Sequence, residues 1–137
     1  MSFIQAKIKN TREIVLENKA ANVATTSGLL YDLVGGLLVA ASSSSTVATL
    51  AGVANQTISA SVDTATQCPV LKLDENDVWL VDSTNNSDAT HNGQDMVLGA
   101  NAGVVNNTGT TSAVGVVKQV GVFGATGDKK ILVSFLK

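Results

Sequence analysis

Three glycines near the C-terminus are the first residues whose spacing could serve chemistry. Gly121, Gly124 and Gly127 recur every three residues behind an apolar run, and two lysines follow them. This spacing lets a backbone approach a pyrophosphate where a strand leads in and a helix follows. Residues 131–136 instead alternate with a period of two, which predicts a strand, and no Gly-Lys-Ser/Thr triplet occurs in the sequence. We therefore interpret the stretch as a C-terminal hairpin, in which Gly127 takes a positive φ in the turn.

The single histidine and the single cysteine are the next candidates. His91 lies near Asp88, Asn92 and Asp95 in the most polar part of the chain. A metal site needs ligands from several strands, and a nucleophile needs a base beside it. With one histidine available, we interpret His91 as a solvated loop residue. Cys68 has no histidine near it in sequence, which favours a role as small apolar filler, and one cysteine excludes an intrachain disulfide.

A polar segment from Asp82 to Asp88 places oxygen atoms at alternate positions, as calcium loops do. It lacks the central glycine and the terminal glutamate of that motif, so a bound cation is the weaker alternative to a surface loop over residues 82–95. No set of residues with the spacing of a catalytic site occurs elsewhere. The sequence therefore predicts a protein that is not an enzyme and has no metal, cofactor-binding or catalytic residues.

Composition limits the elements that could position any site. The chain has 137 residues, enough for one domain, with 45% hydrophobic, 4% aromatic and 15% charged residues. Few charges and many small β-branched residues are typical of a tightly packed all-β body and exclude a disordered chain. The net charge of −2 argues against nucleic acid as a partner. Neither a signal-peptide core nor a membrane span is apparent, and we expect a soluble protein made in a cytoplasm.

Turn residues divide the chain from Gly28 onward into short strands. Gly35 and Gly36 separate two apolar runs, which predicts a tight hairpin. Residues 57–62 alternate and also read as a strand. Gly115 and Gly121 are expected to mark bulges or close backbone contacts. Segments recur every eight to twelve residues or so, and this rhythm predicts a small single-domain β-barrel or sandwich.

The N-terminal residues have a different character. We interpret residues 1–26 as an extended arm and residues 27–137 as the β-barrel body. A short helix over residues 12–24 is the alternative to a short strand that leads into a polar loop, but β-branched residues and asparagines weaken it. The arm combines apolar anchors with local positive charge. Its expected contact residues are Phe3, Ile4, Lys7, Ile8, Lys9 and Arg12.

Two long passages resemble bacteriophage capsid decoration proteins, which are head-stabilising or cement proteins. The matching features are "TNN…HNGQ-MVL", "VNNTGT" and "DKKILV-F" near the C-terminus, and "LVGGLLVAASSSSTVATLAGVA" earlier. The resemblance implies a β-tulip-like barrel that binds the outside of an assembled shell and stabilises it. It also implies a homotrimer, the major capsid protein as partner, and a place on the exterior of the virion.

A second function stays open. Phage surface domains of this size also bind host glycans, and Trp79, Tyr31 and the asparagine-rich loop could form a binding face. Trp79 lies in an apolar run that predicts burial, so a glycan- or host-binding β module ranks below the decoration protein. An accessible Trp79 would favour the glycan face.

Overall fold

The computed structural model describes residues 3–7, 13–107 and 115–137. In these ranges it contains eleven strands and two short 3-10 turns, at Ala89–His91 and Thr126–Asp128. The all-β prediction is confirmed. The strands are β1 (Ile4–Lys7), β2 (Ile14–Asn18), β3 (Leu30–Val34), β4 (Leu37–Ala40), β5 (Leu50–Ala54), β6 (Gln67–Lys72), β7 (Val78–Ser83), β8 (Asp95–Leu98), β9 (Val104–Asn106), β10 (Val117–Phe123) and β11 (Lys130–Phe135).

Six strands form a sheet in the order β1-β7-β11-β10-β8-β9. Strand β9 also pairs with β7, in parallel, through Asp82 opposite Val104 and Ser83 opposite Val105. This extra pairing closes β7, β11, β10, β8 and β9 into a ring. Strand β1 pairs with the first half of β7 and is not part of the ring. It has no second partner among the described strands, so it is an edge strand.

The other five strands form a sheet in the order β2-β6-β5-β3-β4. Its two edges approach each other just beyond β2, where Ala20 N donates to Leu38 O at 3.0 Å and Lys19 makes a parallel bridge with Leu38. The sheet is therefore strongly curled. Its concave face and its opposite face carry different side chains, because neighbours along a strand point to opposite sides.

The main core contains buried side chains from both sheets. Phe3, Trp79 and Phe135 form its aromatic centre, with ring centroids 5.5 to 6.4 Å apart. These separations are typical of favourable aromatic contacts. Apolar residues from the two sheets surround the rings, including Leu30, Leu50, Val53, Leu71, Val81, Met96, Leu98, Val105, Val117, Ile131 and Val133.

A second, smaller core lies on the other face of the five-stranded sheet. It consists of Tyr31, Leu38, Ala54, Cys68 and Val70. Residues from the segments that follow β2 and β5 pack against it. The Cys68 side chain is completely buried and its thiol is free, which agrees with its predicted role as apolar filler.

Both predicted hairpins are present. Gly35 and Gly36 join β3 to β4 with φ values of 58° and 80°, the conformation that a type I′ turn requires. Strands β10 and β11 form the C-terminal hairpin. The positive φ predicted at Gly127 is wrong, because residues 126–128 form a 3-10 turn. The left-handed positions flank that turn, at Gly124 (72°) and Lys129 (53°).

The predictions for Gly121, in β10, and for Gly115, just before β10, are confirmed. Pairing between β10 and β11 shifts register between Gln119 and Gly121, as a bulge does. Gly115 is buried, and a Cβ there would lie 2.7 Å from the Cβ of Asp95, so the backbones approach closely.

Two local predictions differ from the structure. The helical alternative for residues 12–24 is wrong, since Ile14–Asn18 is a strand paired with β6. Residues 57–62 do not form a strand; only Ile58 makes a bridge, to Thr25. Val62 is 82% exposed, so the alternation of this stretch does not reflect a buried face. Among the described residues, no helix is long and apolar enough to cross a membrane.

Candidate functional site

The structure separates the residues predicted to form a capsid-contact arm. Phe3 is only 4% exposed and belongs to the aromatic core, whereas Ile4 is 55% exposed. The backbone of Lys7 pairs with Val78. Residues 8, 9 and 12, which complete the predicted set, lie outside the described residues. Phe3 is therefore an internal anchor of β1, because its ring fills space between the sheets and cannot reach another molecule.

The described parts of the predicted arm belong to the two sheets. Strand β1 pairs with β7, and β2 pairs with β6 along its whole length. The backbone N–H of Phe3 also donates to Gly28 O at 2.7 Å. Any contact that these strands make with a partner is thus made by edge strands that are already ordered.

Strand β2 exposes two large apolar side chains that the sequence analysis did not select. Ile14 and Leu16 are 54% and 58% exposed. They stand opposite Leu71 and Pro69, on the face that continues the main core beyond the edge of the other sheet. A signal was present in the sequence, because Ile14 and Leu16 alternate with Val15 and Glu17. It was not used, since alternation alone does not show which face lacks a neighbour.

A related apolar row crosses the outside of the six-stranded sheet. Ile4 pairs with Leu80, and Leu80 pairs with Leu132, so the three side chains share one face. Trp79 and Val81 flank Leu80 and are buried, which places the row on the outer side. Leu80 and Leu132 are partly exposed. The row presents apolar surface to whatever lies beside β1.

A groove of 360 Å³ opens on the curled sheet, on the face opposite the main core. Its floor is apolar and its rim is charged. Since its residues come from β2, β3, β5, β6, the β4–β5 connection and the end of the chain, no single motif marks it in the sequence. The lining residues are Val15, Leu33, Ala48, Thr49, Leu50, Ala51 and Val70, together with the charged residues Glu17, Lys72 and Lys137.

The distal part of the β10–β11 hairpin is the third exposed apolar feature. We call residues 120–129 the hairpin tip; Gly121 is partly exposed and every other residue of the tip is exposed. Phe123 is 51% exposed, and Val120 and Val122 are also exposed. Pairing places Phe123 beside Lys130, which forms an ion pair with Asp82 at 2.6 Å.

The polar loop before β8 is more ordered than its composition suggested. Asp88 caps the 3-10 turn by accepting from Thr90 N at 2.8 Å and from Thr90 Oγ1 at 2.7 Å. These hydrogen bonds, and a smaller effect of His91, lower the pKa of Asp88 below its ordinary value. The His91 side chain is 26% exposed, so it is partly buried where a solvated residue was predicted. Gln119 holds the loop against β10 through its Nε2, which donates to Asp88 O at 2.8 Å.

The other residues considered for chemistry are held in structural roles. Asp82, the first residue of the predicted loop, is the penultimate residue of β7 and forms an ion pair with Lys130. Within residues 3–7, 13–107 and 115–137, no group of three or more His, Cys, Asp and Glu side chains could hold a metal ion. Trp79 and Tyr31 are 1% and 2% exposed, so neither can stack on a sugar at the surface. The aromatic part of the proposed glycan face is therefore inside the protein.

Comparison with known proteins adds no relative. No protein-family model matches the chain. No curated protein matches it significantly either. Any functional inference therefore depends on the geometry above and on the motifs of the sequence.

Proposed function

We propose that this protein is a virion structural protein that binds the outer surface of an assembled phage capsid and stabilises it. The resemblance of its motifs to decoration proteins supports the proposal, and the all-β body is compatible with it. The resemblance supplies the remaining parts: the major capsid protein as partner, self-association as a homotrimer, and a position on the exterior of the virion. The proposal includes no nucleic acid, membrane, cofactor or catalytic step.

The observation that carries the proposal is the exposure of apolar side chains on the two N-terminal edge strands. Ile4, Ile14 and Leu16 each leave more than half of their surface open to solvent. Full burial of a large apolar side chain contributes about 1.5 to 3 kcal/mol, so covering the exposed half of each contributes about 0.8 to 1.5 kcal/mol. Because β1 and β2 are ordered by their pairing with the body, most of the entropy cost of ordering them is already met on folding.

Ordered edge strands would bind a capsid differently from the extended arm that the sequence predicts. A flexible arm pays roughly 1 to 2 kcal/mol for each backbone residue that it orders on binding. An edge strand avoids that cost, and its backbone can also accept a neighbouring strand from the capsid. Deletion of residues 2–12 would remove Phe3 with the contact residues, so loss of binding in that variant would not separate a missing contact from a damaged fold.

Point substitutions on β2 test the proposal without touching the core. Capsids assembled from the major capsid protein of the same genome would be mixed with wild type and with the double variant Ile14→Lys, Leu16→Lys. We expect wild type to saturate the capsids and to raise their melting temperature. The double variant should bind at least tenfold more weakly, since two lysines cannot be buried there without partners.

Val62→Lys is the matched control, because Val62 is 82% exposed and lies on a different segment. It should bind like wild type. Failure of wild type to bind the capsids would overturn the proposed function. Binding of the double variant at wild-type affinity would instead overturn the assignment of β2 to the contact surface.

A further inference from the structure

We propose that the protein associates with itself head to tail, with Phe123 from the hairpin tip of one copy seated in the groove of the next copy. The occupant of the groove is thus a second copy of this chain. The inference gives a geometry to the self-association contained in the proposed function, and it does not depend on attachment to a capsid.

The hairpin tip extends beyond the neighbouring strand on one side. Strand β10 pairs with β11 as far as Phe123, but its pairing with β8 stops at Lys118. Within the described residues, positions 120–123 therefore have a neighbouring strand on the β11 side only. The turn beyond them is held by Ser83 N, which donates to Lys129 O at 2.8 Å, and by Ser87 N, which donates to Thr126 O at 3.2 Å. A half-exposed phenylalanine on such a projection presents the type of side chain that contributes most to protein interfaces.

The groove has the size and the floor that an aromatic side chain needs. Val15, Leu33, Ala51 and Val70 provide apolar contacts. A cavity of about 150 Å³ accepts a benzene ring. The groove volume of 360 Å³ is therefore large enough for the Phe123 ring.

The charges at the two surfaces are complementary. The hairpin tip carries Asp128 and Lys129, both exposed. The rim of the groove carries Glu17, Lys72 and Lys137, and the Lys137 ammonium donates to Val47 O and Leu50 O. The ion pair that Lys72 makes with Glu13 is 3.4 Å long and both side chains are more than half exposed, so it competes only weakly. Asp128 can then face Lys72 while Lys129 faces Glu17.

A chain cannot fill its own groove in this way. The tip lies at the beginning of β11, whereas Lys137, just past the end of β11, lines the groove. An extended chain advances about 3.3 Å per residue, so residues 130–137 separate the two features by roughly 20 Å. The hairpin tip points away from the groove of its own chain, and the contact must be made between copies.

Two different surfaces in contact make a heterologous interface. Such an interface generates a closed ring when the rotation between copies closes, and a filament when it does not. A ring of three would agree with the trimer implied by the resemblance to decoration proteins. Each copy in the ring uses one hairpin tip and one groove.

Complementary variants test this arrangement without capsids. Phe123→Ser removes the inserted ring, and Ala51→Trp fills the groove. We expect wild type to be oligomeric and each variant to be monomeric by sedimentation velocity. An equimolar mixture of the two variants should form a heterodimer, because one intact groove then meets one intact hairpin tip.

Two further variants serve as a replacement and as a control. Glu17→Lys with Lys72→Glu reverses the rim charges and replaces Ala51→Trp if that variant does not fold. Val62→Ser changes an exposed residue elsewhere and should stay oligomeric. A monomeric wild type up to millimolar concentration, oligomeric single variants, or monomeric variants that form no heterodimer would each overturn the proposal. Oligomers that form as expected but do not bind capsids would count against the proposed function and would not affect the proposed self-association.

Discussion

The N-terminal strands and the C-terminal hairpin both expose large apolar side chains, yet the protein holds them differently. At the start of β1, the buried Phe3 lies directly before Ile4, the exposed first residue of the strand, so core and surface alternate within two residues. In the β10–β11 hairpin, the core residues and the exposed residues lie at opposite ends of the paired strands. Residues near Val117 and Phe135 are buried, and the tip around Phe123 is exposed.

This difference indicates two kinds of binding surface. A contact at Ile4 cannot be removed by truncation without loss of core packing, because the core residue Phe3 directly precedes it. The hairpin tip, by contrast, contributes little to the core and can change with little effect on stability.

Substitution of the adjacent residues Phe3 and Ile4, at the start of β1, should give very different stabilities. Phe3→Ala removes a ring that contacts Trp79 and Phe135, and we expect a loss of about 3 to 5 kcal/mol in the free energy of unfolding. Ile4→Ser changes an exposed side chain and should stay within about 0.5 kcal/mol of wild type. Urea denaturation measures both. Equal, small effects would show that the N-terminal strand is not part of the core.

Two glycine substitutions extend the comparison from the body to the hairpin tip. At Gly52, an added Cβ would collide with the carbonyl oxygen of Leu71 and lie 2.6 Å from Val70 Cγ1. We expect Gly52→Ala to destabilise the fold by about 1 to 3 kcal/mol. At Gly127, a Cβ meets nothing within 4 Å and φ is not positive, so Gly127→Ala should be neutral or slightly stabilising. Thermal unfolding separates them, and similar losses at both positions would contradict the account.

Local turn chemistry made part of this structure predictable. Gly35–Gly36 and the period-two alternation of residues 131–136 were sufficient to place both hairpins, because each is decided by neighbours in sequence. The shifted register at Gly121 followed from the same kind of signal.

The features that depend on distant residues were not predictable. Phe3 enters the core because Trp79 and Phe135 leave space for its ring, and no local pattern shows that. The groove joins strands that lie far apart in sequence. The exposure of Ile14 and Leu16 likewise depends on where the edge of the other sheet ends.

The smallest expected effect concerns the polar loop before β8, which Gln119 of β10 holds by a hydrogen bond to Asp88 O. Hydrogen bonds from the Thr90 side chain and backbone lower the pKa of Asp88. For a lowered pKa, the stabilisation is complete above the ordinary value of 3.8 and is lost as pH falls through the lower folded value. The amide shift of Thr90, followed by NMR, should titrate below 3.8 and should not titrate in Asp88→Asn. A midpoint at or above the ordinary value would contradict the capping role.

Hydrogen exchange of the protein, free and bound to capsids, tests the central distinction between the two surfaces most directly. We expect capsid binding to slow amide exchange in the peptide that covers β2. The hairpin tip should exchange at the same rate in both samples, because a neighbouring copy already covers it in the free oligomer. New protection confined to the hairpin tip, with β2 unchanged, would contradict the account and assign the capsid contact to the C-terminal hairpin.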